Sequence, residues 1–211
     1  MVMEHGKEEK KLASSVLSRV ASKGVFPHEW AFTLLVPLRN LFLSPKKLLK
    51  RLDLNPSDRV LEVGSGPGYF SPAVAAHLSR GSLVLADIQQ EMLDYAAKRM
   101  RAKGMANVEY YLCDGEVFDF PDASFDVIFL VTVLGEVENK DAYLREFSRL
   151  LKPRGLLSIS ELAGDPDKMQ PREIEEIALP QGFEVQKLYG SPRNYTLNFR
   201  KKAGLDLSSR K

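Results

Sequence analysis

The period of the hydrophobic positions changes along the chain. Leu12, Val16, Leu17 and Val20 recur at helical spacing, which predicts an amphipathic helix over about residues 8–22, ended by Gly24. Phe26 to Leu43 follows as a second, very apolar helical region, broken or kinked at Pro37. Ser44-Pro45 reads as an N-cap and first helical position, opening a short helix to about Arg51, and Asn55-Pro56-Ser57-Asp58 is a turn. From Arg59 onward, strands alternate with helices. Strands are expected at Arg59 to Val63, Ser82 to Ala86, Val108 to Leu112, Phe125 to Val131 and Leu156 to Ser160. Helices are expected at about Tyr69 to Leu78, Gln90 to Lys103, Asp141 to Leu151 and Glu173 to Leu179. In the second of these, Leu93, Ala96, Ala97 and Met100 share a face, and in the third Tyr143, Phe147, Leu150 and Leu151 do. Phe183 to Leu188 and Tyr195 to Arg200 complete a set of seven strands.

Repeated strand–helix units of this length imply a parallel, doubly wound sheet with helices on both faces. The near-continuous apolar run Phe125 to Val131 suits a central strand covered on both sides. Only Tyr189 to Asn194 separate the last two strands, too few residues for a helical crossover, so that pair should be antiparallel. The fold class is therefore α/β, a Rossmann-like sheet, mostly parallel, with a C-terminal antiparallel hairpin. An N-terminal helical extension over residues 1–43 precedes a main domain over residues 44–202, and a polar tail over residues 203–211 should fray.

Composition narrows the picture modestly. The 211 residues, 44% hydrophobic and 27% charged, are enough to bury a core without a disulfide or metal staple. Thirty Lys plus Arg against 28 Asp plus Glu give a net charge of +2, which shows no general phosphate-binding surface. A single cysteine, Cys113, rules out an intramolecular disulfide and fits a reducing compartment. The charged N-terminus lacks a signal-peptide core, and the apolar stretch Trp30 to Leu43 is too short and too interrupted to span a bilayer, so a cytoplasmic protein is expected.

Three carboxyl-edge motifs carry candidate chemistry. The run Val60-Leu61-Glu62-Val63-Gly64-Ser65-Gly66-Pro67-Gly68 ends a strand and opens a helix, where open α/β sheets bind ligands. Its spacing is G-x-G-x-G rather than the G-x-G-x-x-G of dinucleotide folds, which suits an amino-acid carboxylate better than a pyrophosphate. Asp87 follows the second strand and either grips ribose hydroxyls or caps the next helix. Asp114, in Cys113-Asp114-Gly115-Glu116, either accepts an exocyclic amine of adenine or is a turn aspartate. Cys113 itself reads as a small buried apolar residue rather than a nucleophile.

In that order, LEVGSGPG, LADIQQEMLDYA, CDGEVFDFPDASFDVIFL, VTVLGEV, LREFSRLLKPRGLLSISE and GFEVQ resemble the class I S-adenosylmethionine-dependent methyltransferases. The likeness covers about residues 45–200 and is strongest to the small-molecule branch that includes quinone-biosynthesis C-methyltransferases. It implies that Glu62 helps place the methionyl amino group, while Gly64, Ser65, Gly66 and Gly68 pack on the methionyl part. It further implies that Asp87 holds the ribose, Ile88 packs on adenine and Asp114 takes the adenine amine, flanked by Gly115 and Glu116. The backbone at Val131-Thr132 would contact the methionyl amine, and S-adenosylhomocysteine would be the product. The chain departs from the pattern at Gly135, where many relatives carry histidine; Glu136 is the better polar candidate there.

Methyl transfer from a sulfonium is an in-line displacement whose leaving group needs no acid, so alignment supplies most of the acceleration. A base is needed only if the acceptor loses a proton, and the candidates are Glu136, Glu161 and His28, each of which also has an ordinary structural reading. No metal-ligand pattern is evident. Phe26, His28, Trp30, Phe32, Leu34 and Leu38 form either a lid over a small, hydrophobic acceptor, packing for the sheet's helices, or a docking face for a membrane surface or second subunit. Monomer and homodimer are both compatible with the sequence. The absence of an Asn/Asp-Pro-Pro-aromatic run disfavours base amino-methylation of nucleic acid, and one cysteine excludes two-cysteine RNA chemistry. A regulatory protein that binds the cofactor without turnover, and an aminopropyltransferase, remain the competing classes.

Overall fold

A computed structural model describes residues 43–115 and 117–203. The expected N-terminal helices before Leu43, with His28 and the apolar stripe around it, lie outside the described residues, as do Glu116 and the tail from residue 204.

The first described helix, α1 (Pro45–Leu52), begins as its sequence dictates. The Ser44 side chain accepts a hydrogen bond from the Lys47 N–H at 3.2 Å, and Pro45 supplies the first helical position. It buries Leu48 and Leu52 and ends at Asp53, which takes a left-handed conformation. The alternation that follows is β1 (Arg59–Val63), α2 (Ser71–His77), β2 (Ser82–Asp87), α3 (Gln90–Ala102), β3 (Val108–Leu112) and β4 (Phe125–Val131). A 3₁₀ turn (Leu134–Glu136) leads to α4 (Lys140–Leu150), β5 (Leu151–Glu161) and α5 (Pro171–Ala178). After a second 3₁₀ turn (Leu179–Gln181), β6 (Phe183–Ser191) and β7 (Asn194–Lys201) close the sheet.

The seven strands run in the order β3-β2-β1-β4-β5-β7-β6. The first five pair in parallel, with Val60 beside Leu83 on one flank and Val127 on the other. Strand β7 is antiparallel to both β5 and β6. Alternate residues of each central strand feed two separate cores. Val60, Leu83, Leu85, Val127 and Phe129 pack under α1, α2 and α3, while Leu61, Val84, Ile128, Leu157 and Ile159 pack under α4 and α5. Burial on both faces is why these strands read as continuous apolar runs.

The sequence pattern misplaces several details. The strand expected to end at Leu188 runs on to Ser191, paired with Asn194, so only Pro192 and Arg193 separate β6 from β7. β5 begins at Leu151, not near Leu156, because Leu151 pairs with Phe125 across a register shift before the regular ladder resumes at Val127 and Leu156. On α3 the buried stripe is Met92, Leu93, Ala96 and Met100, and Ala97 is only half-buried at its margin.

Candidate functional site

The carboxyl ends of β1, β2 and β4 enclose a cavity of about 620 Å³. It opens where the strand order reverses, with β2 and β3 on one side of β1 and β4 on the other, so the connections leave in opposite directions and a crevice remains between them.

The glycine loop forms its first wall. Gly64, Gly66 and Gly68 all take positive φ (63°, 53° and 75°), a region that side chains with a Cβ rarely adopt. Gly64 is further constrained, since a Cβ there would stand 2.5 Å from Val133 Cγ2 in the segment leaving β4. Gly64, Ser65 and Gly66 line the cavity. Gly68 is not among the lining residues; a Cβ on it would press at 3.3 Å on Ala96 of α3, so its smallness lets the loop pack against that helix. Beneath the loop, the buried Glu62 accepts a hydrogen bond at 2.7 Å from the Ser71 hydroxyl at the start of α2.

Asp87 ties β2 to this loop. Its Oδ2 accepts the Gly66 N–H at 2.8 Å and its Oδ1 accepts the Gln89 N–H at 3.0 Å. Burial raises the Asp87 pKa, opposed by the backbone donors of Gln89, Gly66 and Ile88. The Gly66 N–H is thus engaged by Asp87. The N-cap of α3 is Gln89, so Asp87 precedes the helix rather than capping it.

Opposite Asp87 the wall turns apolar, with Ile88 46% and Val117 59% exposed beside Asp114 and Gly115. Cys113 lies beneath, its N–H donating to the Asp87 carbonyl at 3.0 Å. Burial is the main reason its thiol pKa is pushed up to about 11, which leaves it a poor nucleophile near neutral pH. The loop carrying these residues is pinned from behind by Arg149 of α4. Its guanidinium donates to the Phe118 and Phe120 carbonyls at 2.9 and 2.8 Å and pairs with Glu146 and Asp122 at 2.6 Å each.

The last wall follows β4. Thr132 has φ 56°, an unusual conformation for a β-branched residue, and its N–H donates to the Ser160 carbonyl at 2.8 Å. The 3₁₀ turn then lies against the loop after β5. A Cβ on Gly135 would fall far inside contact distance of the Asp167 carbonyl oxygen, so a histidine in that position has no room here. Glu136 faces the cavity. Burial, followed by the charges of Asp165, Asp167 and Asp87, pushes its pKa up to about 7. Glu161, at the end of β5, is 0% exposed, and neither carboxyl oxygen has a hydrogen-bond partner among the described residues. Burial again leads, with Asp165 and Glu136 adding and Lys168 opposing, and raises its pKa to about 8.

The structure thus gathers Glu62, Gly64, Ser65, Gly66, Asp87, Ile88, Asp114, Gly115, Val131, Thr132 and Glu136 around one cavity. Glu161 is not on the lining, and His28 and Glu116 lie outside the described residues. Sequence reasoning missed Tyr69, Phe70, Val117 and Tyr143, which also line the cavity, and the anchoring role of Arg149. Tyr143 sat in an apolar helical stripe and read as core; nothing local distinguishes it. Among the described residues no group of three or more His, Cys, Asp or Glu is placed to hold a metal ion, and no helix is long and apolar enough to cross a membrane.

A family model described as a methyltransferase domain matches residues 54–192. A ubiquinone/menaquinone biosynthesis C-methyltransferase, UbiE, from Shewanella frigidimarina is 40% identical over 111 residues, covering 51% of this chain and 44% of the relative. The Stenotrophomonas maltophilia protein of the same name is 36% identical over 117 residues, 53% of this chain and 46% of its own length. The chain therefore spans about half the length of the curated relatives it matches. A crystal structure of a SAM-dependent methyltransferase from Aquifex aeolicus superposes with a TM-score of 0.76 at 25% identity, covering 84% of this chain and 100% of that one. The [4+2]-cyclase SpnF shares the fold, with a TM-score of 0.67 at 21% identity over 76% of this chain and 80% of its own.

Proposed function

The chain belongs to the methyltransferase-domain family, and from that premise we propose that it moves a methyl group from S-adenosylmethionine to a small, hydrophobic acceptor, leaving S-adenosylhomocysteine. The observation that carries this reading is the order of groups along the cavity: the buried Glu62 and glycine loop at one end, Asp87 in the middle, and Asp114 beside the exposed apolar Ile88 and Val117 at the other. An amino acid, a sugar and a purine need those surroundings in that sequence. The cavity volume also falls in the range of small-ligand sites, roughly 300–1,000 Å³.

In this reading Glu62 and the backbone of the loop and of Val131-Thr132 hold the amino-acid end. Asp87 holds the sugar hydroxyls with the lone pairs left beside its two backbone bonds. Ile88 and Val117 sandwich the base, and Asp114 accepts its amine. The bound sulfonium supplies an already activated methyl group. The protein's share is then to fix the acceptor in line and exclude water. Residues 44–202 form this binding domain. The names of the relatives from Shewanella and Stenotrophomonas support a quinone-related ring as acceptor. We place the reaction in the cytoplasm, with the buried thiol of Cys113 suited to a reducing milieu.

The test is calorimetric titration with S-adenosylmethionine and S-adenosylhomocysteine, followed by transfer of labelled methyl from the former into a metabolite extract. Binding of both with label in a small apolar product is the expected result. Absence of binding overturns the proposal, and binding without transfer favours a regulatory role.

A further inference from the structure

Resting on the reading that the cavity holds S-adenosylmethionine, we propose that the Tyr143 hydroxyl reads the adenine, donating a hydrogen bond to a ring nitrogen on the edge between the amine and the sugar, N1 or N3. Three geometric observations carry it. Tyr143, on α4, lines the cavity, as do Asp114, Gly115 and Val117. Its residue is only 4% exposed, with its ring held by Phe118 and Phe147 at centroid distances of 5.6 and 4.7 Å. Its hydroxyl has no hydrogen-bond partner among the described residues, yet is not one of the polar atoms sealed in the interior, so it opens to the cavity.

Packing against Phe118 and Phe147 needs only the ring, which a phenylalanine would supply. A tyrosine hydroxyl taken out of bulk water without a protein partner is a cost that a ligand can offset. The polar groups of the surrounding wall are engaged with one another. Asp87 accepts the Gly66 and Gln89 N–H groups, the Cys113 N–H donates to the Asp87 carbonyl, and Asp114 Oδ1 accepts the Val117 N–H at 3.1 Å. Burial raises the Tyr143 pKa above its ordinary value, and Cys113, Asp87 and Asp114 act in the same direction. The phenol therefore keeps its proton near neutral pH and serves as a donor, not as a base or a methyl acceptor.

The two carboxylates also select the atom it meets. Asp87 is assigned to the sugar hydroxyls and Asp114 to the amine, and the phenol lies within the field of both. Adenine has three unsubstituted ring nitrogens, all acceptors. N1 and N3 lie on the edge that runs from the amine to the sugar, and N7 lies on the opposite edge. A donor placed between Asp114 and Asp87 faces the first of these edges. Asp114 as acceptor and Tyr143 as donor then match the amine and the ring nitrogen that adenine presents there.

The experiment is calorimetric titration of the full chain with S-adenosylhomocysteine and its 1-deaza, 3-deaza and 7-deaza analogues, each of which replaces one ring nitrogen by C–H. The parent should bind either the 1-deaza or the 3-deaza compound about tenfold more weakly than S-adenosylhomocysteine. Tyr143→Phe should weaken S-adenosylhomocysteine and the 7-deaza compound by about that same factor. The analogue to which the parent is sensitive should bind Tyr143→Phe and the parent alike. Without ligand, Tyr143→Phe should melt at the parent's temperature or above it, because the hydroxyl removed has no protein partner, whereas a structural hydroxyl would lower it. Failure of the parent to bind S-adenosylhomocysteine would reject the methyltransferase reading, and this proposal with it. With that binding intact, three results would each overturn the role of Tyr143 alone: parent affinities indifferent to both N1 and N3, an unchanged affinity in Tyr143→Phe, or an equal loss in that variant for all four compounds.

Discussion

Asp87 and Gly66 are 21 positions apart in sequence yet joined directly, the Gly66 N–H donating to Asp87 Oδ2 at 2.8 Å. The same carboxylate that is assigned to the ribose therefore also holds the shape of the glycine loop. Removing it should do two things. Asp87→Ala loses the Gly66 and Gln89 hydrogen bonds to a charged group, worth roughly 1.5–3 kcal/mol each at most. S-adenosylmethionine affinity should drop at least about tenfold, and thermal unfolding should come at lower temperature. Calorimetry and a melting curve on the same sample check both, and full retention of affinity would refute the assignment.

Gly64 faces a second constraint that can be separated from the first. Gly64→Ala places a methyl against Val133 and forces a left-handed alanine, the latter costing about 1–2 kcal/mol. Pairing it with Val133→Ala should recover the steric part and leave the conformational part. A double-mutant cycle in chemical denaturation would show a coupling of about 1 kcal/mol or more, and strict additivity would deny the contact.

Gly135 should not accept a larger side chain. Gly135→Ala already overpacks against the Asp167 backbone and should destabilise by about 1–3 kcal/mol. Because the displaced turn carries Glu136, acceptor turnover should suffer more than cofactor affinity. Comparison of kcat with the dissociation constant for S-adenosylhomocysteine would distinguish the two effects.

Stability should depend on pH in a direction set by the buried glutamates. Burial pushes the pKa of folded Glu136 up to about 7 and that of Glu161 up to about 8, from an ordinary glutamate value of 4.5. Both pKa values are raised, so the native state holds more protons than the unfolded chain between those limits. Their contribution is fully present below about pH 4.5 and is lost as pH rises through about 8. Relative to the parent, Glu161→Gln should therefore gain melting temperature progressively from pH about 5 to about 8. A difference that is flat in pH would mean that Glu161 ionises normally.

Much of this architecture was legible because it rests on local pattern. β1, β3 and β4 begin and end at the residues expected of them, and the Ser44 cap and the parallel-then-antiparallel character followed from residue chemistry and loop length. What was hidden depends on distant partners. Strand order is invisible to periodicity, so the seating of β7 between β5 and β6 could not be read. The early start of β5 lies in Lys152-Pro153-Arg154, whose polar residues and left-handed Arg154 mask a strand that only the pairing of Leu151 with Phe125 defines. At the site, the spacing of Glu62, Gly64, Gly66, Asp87 and Asp114 on strand ends predicted their convergence. The abutment of Gly135 on Asp167 and the isolation of Glu161 arise from segments about thirty residues apart, and no motif announces them.

The seat of β7 also sets the order in which the protein can be finished. Translation delivers β6 before β7, yet β6 pairs with β7 alone and reaches the sheet only through it. A nascent chain must therefore wait with the flank of β5 bare, its Leu157 and Ile159 edge open to any strand that arrives first, a neighbouring copy included. Production in a host should accordingly reward slow synthesis and chaperone supply, and truncation before Asn194 should yield aggregates rather than a smaller soluble enzyme.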